Sequence, residues 1–305
     1  MKIGIMGSGG TGAYTGARLQ AAGHEVAFIA RGANLMAMQQ RGLAVLSPQG
    51  DTVLAQVRAT DNPADIGPVD IVLFSVKLWD TASAAILMQQ MVGPETIVIT
   101  VQNGIDSADL IGAHIRRAQV ARGAYFISAH LEQPGLVRHA GGLHRIEVES
   151  LSGNALLGRF AAACNAAPGL DCRLVEDGGA LLWSKFILLS AFSGVTALLR
   201  APLGVIRDNP ETEPLLRQLL DEAQAVATAS GQRPDVGAEG ARLLYQHSAG
   251  AMASMAEDLL HGRRLELRWL SGRVHSLGLE LGVPTPAHTA VFRALVLYEN
   301  GPPVQ

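Results

Sequence analysis

The chain has 305 residues, 48% of them hydrophobic, which suffices for a sizeable core in one large domain or two ordinary ones. A formal net charge of −3 gives no global attraction to nucleic acid or to an acidic membrane. Cys164 and Cys172 are too few and too close for a disulfide framework, and Met1 leads straight into a strand-like run without a basic n-region or cleavage site, so free thiols and a cytoplasmic setting are expected.

Lys2–Met6 reads as the first strand. Gly7-Ser8-Gly9-Gly10-Thr11-Gly12 follows at once, and a helix then runs to about Ala22, stopped by Gly23. In this spacing Gly7 permits a tight turn, Gly9 lets backbone approach a pyrophosphate, and Gly12 lets the helix lie close to the strand. The free N–H groups of the helix start complete an anion site. A glycine pattern placed between a strand and a helix, with a second strand at Glu25–Ala30, points to a dinucleotide. That strand leads into Arg31, where NAD sites usually carry an acid for the ribose 2′-hydroxyl. A guanidinium suits a 2′-phosphate instead, so the expected cofactor is NADPH, the plainer alternative being a solvated surface arginine.

Further strands are expected at Asp70–Val76, Glu95–Val101 and Gln119–Ser128, several of them continuous apolar runs. Alternating strand and helix implies a parallel, doubly wound Rossmann-like α/β sheet. Gln102-Asn103-Gly104 follows the fourth of these strands, at an end that faces the same crevice as the glycine loop. Asn103 is therefore either a holder of nicotinamide or substrate, or a turn asparagine before glycine. Around Gly135–Glu149 glycines punctuate short alternating runs, which suggests antiparallel strands, and Cys172–Glu176 looks like a last strand.

From Asp177 onward the pattern is helical, which predicts residues 1–176 as the α/β nucleotide domain and 177–305 as an all-helical domain across a cleft. Ala180 to Leu199 carries a single charge, Lys185, and reads as a buried core helix rather than a membrane span. The tail Gly301–Gln305 is expected to be loose.

Of the 24 basic residues only Lys2, Lys77 and Lys185 are lysines. Lys77 ends an apolar strand and Lys185 sits in an apolar helix, so both are expected to be semi-buried. A buried lysine can give up a proton and an arginine effectively cannot, which makes them candidates for proton chemistry, with snorkelling as the alternative. The nine histidines show no metal-ligand spacing, and no metal is expected.

Taken together, the loop Gly7–Gly12, Arg31, Ser-Val-Lys ending at Lys77, Gln-Asn-Gly at 102–104 and Trp-x-Lys at 183–185 resemble the ketopantoate reductase (2-dehydropantoate 2-reductase) family. One further run, Ser254-Met255-Ala256-Glu257-Asp258 through Gly262-Arg263 to Glu266, matches that family's spacing. The resemblance covers the whole chain and implies NADPH-dependent reduction of a 2-oxo acid to a D-2-hydroxy acid, ketopantoate to pantoate foremost, as in pantothenate biosynthesis. It implies Lys185 as the general acid, Glu266 as its partner at substrate and cofactor, and Asn103 and Lys77 as cofactor or substrate contacts. Ser254 is implied as a carboxylate contact. On the residues alone, the favoured reading is Ser254 as a helix cap and Asp258 and Glu266 as solvated helix charges.

The resemblance also exposes departures. Asparagines that the family carries one and two turns after the lysine are here Leu189 and Ser193, and others are Leu203 and Ala251. The acid expected near the glutamate is Arg268. Fewer buried polar partners would disfavour a polyhydroxylated substrate, so an alternative is a family member acting on a more apolar 2-oxo or 2-hydroxy acid. A second alternative is a non-catalytic NADPH-binding sensor. The broad apolar faces of the C-terminal helices leave a homodimer open.

Overall fold

The computed structural model describes residues 1–234, 236, 244 and 247–303. The last two residues of the tail, Val304 and Gln305, lie outside them. The chain divides into two compact units, Met1–Gln102 with Asp106–Gly178, and Asn103–Ile105 with Gly179–Gln305.

The first unit is a ten-stranded mixed sheet with helices on its faces. Its strands are β1 (Lys2–Met6), β2 (Glu25–Ile29), β3 (Leu43–Leu46), β4 (Thr52–Leu54), β5 (Arg58–Thr60), β6 (Val69–Phe74), β7 (Val92–Thr100), β8 (Val120–Gln133), β9 (Leu136–Glu149) and β10 (Asp171–Val175). The run β5-β2-β1-β6-β7-β8 is parallel throughout. Counted in chain order, this is the 3-2-1-4-5-6 arrangement of a dinucleotide-binding sheet. Side chains alternate faces, as a pleated strand requires. Ile3, Ile5, Phe28, Ile71, Leu73 and Ile99 join one core. Met6, Ala27, Ile29, Val72, Phe74 and Val98 join another. Burial on both faces is why these strands are written as unbroken apolar runs.

Beyond β8 the sheet is no longer purely parallel. Of the stretch 135–149, expected as short strands, Leu136–Glu149 forms the single strand β9, antiparallel to β8. Gly135 lies in the turn between the two, and Gly141 and Gly142 are absorbed by a register shift between Ile127 and Ser128. Short strands β3, β4 and β10 extend the sheet past β9. Cys164 and Cys172 are both buried and free.

The helix Gly10–Ala21 ends as expected at Gly23, which takes φ +89°. Gly23 N–H donates to Gln20 O and His24 N–H to Leu19 O, both near 3 Å, closing the last turn.

The second unit is helical: Gly178–Leu199, Leu203–Arg207, Glu213–Ala229, Ser254–Leu260, Ser271–Leu281 and Pro286–Leu295, with no strand among its described residues. By length and composition Gly178–Leu199 would suit a membrane, but most of its apolar stretch is buried, and Trp183, Phe186, Ile187, Ala191 and Val195 build the helical core. Pro286–Leu295 is capped from another helix. Its N-cap Thr285 offers no side-chain bond, and the buried carboxylate of Glu222 accepts Ala287 N–H at 2.8 Å and His288 N–H at 2.9 Å.

Candidate active site

In the first unit the glycine loop is shaped by sterics. Gly7 sits at φ +102°, and a Cβ there would lie 2.7 Å from Val76 N. A Cβ on Gly12 would lie 2.2 Å from Gly7 O and 2.4 Å from Ser75 Oγ, and one on Gly10 2.3 Å from Ala129 O. Gly9 differs: nothing stands within 4 Å of its Cβ position. The helix that follows has no side-chain cap and no acid in its first turn, so neither competes at its leading N–H groups. Bare backbone at Gly9 beside an uncapped helix start fits a pyrophosphate.

Ser8 is buried and turned away from that opening, its Oγ donating to Ile29 O at 2.9 Å. Thr11 O accepts the hydroxyl of Thr15 one turn on. Asn34 steadies the loop by donating to Ser8 O at 2.9 Å while accepting Gly135 N–H at 2.9 Å. Arg31 is exposed and holds Asp80, Nη2 to Oδ2 2.6 Å. Lys77 corrects the expectation of burial. Strand β6 stops at Phe74, and Lys77 lies beyond it, exposed, with Nζ 5.6 Å from the centre of the Trp79 ring.

In the second unit Lys185, Glu266 and Asn103 come together. Lys185 is carried by Gly178–Leu199 between the buried Trp183 and Phe186, whose rings meet edge to face at 5.5 Å. Glu266 is not a solvated helix charge. It is buried, held between Leu265 and Leu267, which are fully enclosed, at the start of the turn Leu267–Trp269. Asn103 Nδ2 donates to Glu266 Oε2 at 3.3 Å. Gly104 makes that reach possible with φ +82°, setting its backbone near Trp269 O. Ser254 is the exposed first residue of Ser254–Leu260, whose N-cap is Ala253, so it is not the cap. Asp258 pairs with Arg263, Oδ1 to Nε 2.7 Å.

Burial drives the Lys185 pKa down from 10.5 to about 8, with the Glu266 carboxylate pulling the other way. The result is an ammonium that still holds its proton near neutrality but gives it up more readily than a surface lysine.

Two further residues position the loops of the first unit. Gln102 is buried, and its Nε2 donates to Val76 O at 2.8 Å and Thr81 Oγ1 at 2.9 Å, tying the end of β7 to the turn after β6. Asp80, the partner of Arg31, is the other. Of the departures, Leu203 is fully buried in the helical core, and Ala251 O accepts Leu203 N–H at 2.9 Å. Leu189 is half-buried.

A family model described as ketopantoate reductase PanE/ApbA matches residues 3–153, and one described as ketopantoate reductase PanE/ApbA C terminal matches 179–299. The 2-dehydropantoate 2-reductase of Mesorhizobium japonicum is 28% identical, covering 95% of both chains. The crystal structure of a PanE/ApbA family ketopantoate reductase from Ralstonia eutropha JMP134 is 32% identical with TM-score 0.89, covering 98% of both chains. A D-mandelate dehydrogenase solved with NADH and anilino(oxo)acetate shares the fold at 20% identity and TM-score 0.88, covering 98% of both chains.

Proposed function

The chain belongs to the ketopantoate reductase family, and on that premise we propose that this oxidoreductase reduces a 2-oxo acid to a D-2-hydroxy acid with NADPH, 2-dehydropantoate being the substrate. The observation that carries the reading is the Lys185–Glu266–Asn103 group, its glutamate buried and its lysine drawn toward neutrality.

Bound NADPH supplies the hydride that the carbonyl carbon receives. The residues of the chain do the rest. Gly7, Gly9, Gly10 and Gly12, with Ser8 and Thr11 between them, form the bare-backbone cradle for the pyrophosphate. Arg31 offers its guanidinium to the 2′-phosphate. Lys185 donates a hydrogen bond to the carbonyl oxygen, stabilises the charge that grows there, and passes it the proton. Glu266 keeps the lysine charged and accepts from a substrate hydroxyl. Asn103 fixes Glu266 and presents its amide to nicotinamide or substrate. Ser254 and Lys77, both exposed, serve the substrate carboxylate and the cofactor.

A second reading, a 2-oxo acid with a more apolar side chain, is supported by Leu189, which shares the Lys185 face of its helix one turn on. The D-mandelate dehydrogenase neighbour gives it a fold-level precedent. Leu203 no longer argues for it, because its side chain fills the core.

The test is NADPH oxidation across a panel of 2-oxo acids, with Lys185→Ala beside the parent. The variant keeps NADPH binding and loses roughly 10²- to 10⁴-fold in rate. An unaffected rate removes Lys185 from its role, and binding without any oxidation favours the sensor. Fastest turnover of ketopantoate in the panel rejects the apolar substrate.

A further inference from the structure

Arg31 is the one sequence feature that pointed to NADPH rather than NADH, and it is paired with a carboxylate. The pair sits where cofactor choice is made. Arg31 follows β2 and Asp80 follows β6, and β1 lies between those two strands. The pair therefore crosses the carboxyl end of β1, from which the glycine loop starts, spanning two strand spacings of roughly 4.8 Å each. Ligands of such sheets bind at that end.

Stability does not account for the arrangement. Arg31 is 70% exposed and Asp80 28%, and ion pairs this open contribute little to folding. Asp80 ends the turn Leu78–Asp80 that runs on into the helix Thr81–Met88, and its side chain makes no bond to that helix start. Its carboxylate points to Arg31 instead. The backbone is fixed on both sides, Asp80 N–H donating to Lys77 O at 2.9 Å and Asp80 O accepting Ser83 Oγ at 3.0 Å. The carboxylate is thus a built part of the site, while the long arginine side chain is the movable member.

We propose that Asp80 sets the cofactor preference of this chain by holding Arg31, so that NADH is accepted alongside NADPH. The inference rests on the first unit being the nucleotide-binding half, as proposed above. The chemistry is that of one charge facing two ligands. A 2′-phosphate must draw the guanidinium away from Asp80 or share it, and it meets the negative charge of the carboxylate. A 2′-hydroxyl meets no such conflict, because it donates a hydrogen bond that a carboxylate accepts. No second cation follows Arg31: the next residues are Gly32, Ala33 and Asn34.

The experiment measures binding of NADPH and NADH by calorimetry, without substrate, in the parent, Asp80→Asn and Arg31→Ala, with thermal midpoints alongside. In the parent, the two dissociation constants lie within about tenfold of each other. In Asp80→Asn, removing one charge beside an exposed phosphate site tightens NADPH by about three- to tenfold and leaves NADH unchanged or weaker, at an unaltered midpoint. In Arg31→Ala, NADPH weakens and NADH stays within about threefold. A parent that binds NADPH more than about a hundredfold tighter than NADH overturns the proposal. So does an Asp80→Asn ratio equal to the parent's. Weaker NADPH binding in Asp80→Asn also overturns it, because Asp80 would then be aiming Arg31 at the phosphate. If the parent binds neither nucleotide, the reading of the first unit fails first, and this inference falls with it.

Discussion

Raising the pH isolates what Lys185 does. With its pKa drawn from 10.5 to about 8, about 90% of the lysine is protonated at pH 7 and about 10% at pH 9. A step that needs the protonated form therefore loses about tenfold over that interval, whereas a lysine at its ordinary value would still be about 97% protonated at pH 9. The Glu266 carboxylate opposes the burial that lowers the lysine. Glu266→Gln removes that opposing charge, so the falling limb moves to lower pH. The assay is kcat for 2-oxo acid reduction at saturating cofactor from pH 6 to 10, read as the position of the limb rather than its height. The height falls as well if Glu266 accepts from a substrate hydroxyl, as proposed. A profile flat to pH 10, or a limb that Glu266→Gln leaves in place, would refute the reasoning.

The glycine loop offers a contrast within five residues. Gly9→Ala adds a Cβ into open space, so its melting temperature stays at the parent value while cofactor affinity drops at least tenfold; equal affinity would show that no ligand approaches there. Gly12→Ala drives a Cβ against Gly7 O at 2.2 Å, and both melting temperature and affinity should fall. In the helical unit Glu222→Ala strands the Ala287 and His288 amides and should cost about 2–4 kcal/mol in urea denaturation, with Glu222→Gln costing less. His288 is fully buried and held neutral, its pKa lowered by burial from 6.5 to about 4, partly offset by its bond to Leu219 O. The unfolded chain binds that proton first as pH falls, so stability is full above about pH 6.5 and declines by about 3 kcal/mol on the way to pH 4. Denaturation midpoints across that range should decline less in His288→Gln; an equal decline assigns the acid sensitivity to other groups.

The parts of the fold that announce themselves in the sequence are those where local pattern and final environment agree. β1, β2, β6 and β7 are covered on both faces by the two cores, and their apolar runs say so. β3, β4 and β5 carry three or four residues each. β3 and β5 are held by distant partners, Leu136 with Ala44 and Arg58 with Ala27, which no local window contains, and β4 joins the sheet only through β3. In the candidate site, Lys185 is legible as a chemical oddity, a lysine in an apolar helix, whereas Glu266 is legible only through the family's spacing from Ser254. Lys77 misleads because an apolar strand does not reveal where it ends. The role of Gln102, which the Gln-Asn-Gly motif names without explaining, and that of Asp80 are invisible, since each acts through a residue that only the strand order brings near.

The tripeptide Asn103–Ile105 groups with the helical residues although the chain on both sides of it does not. Ile105 leans on the helical core, and Asn103 holds Glu266. For protein engineering this makes the natural seam three cuts rather than one. A chimaera joined only near Gly178 would import its asparagine from one parent and its glutamate from the other. Shuffled family members should therefore recombine cleanly when the codons for 103–105 travel with the C-terminal half, and poorly when they do not.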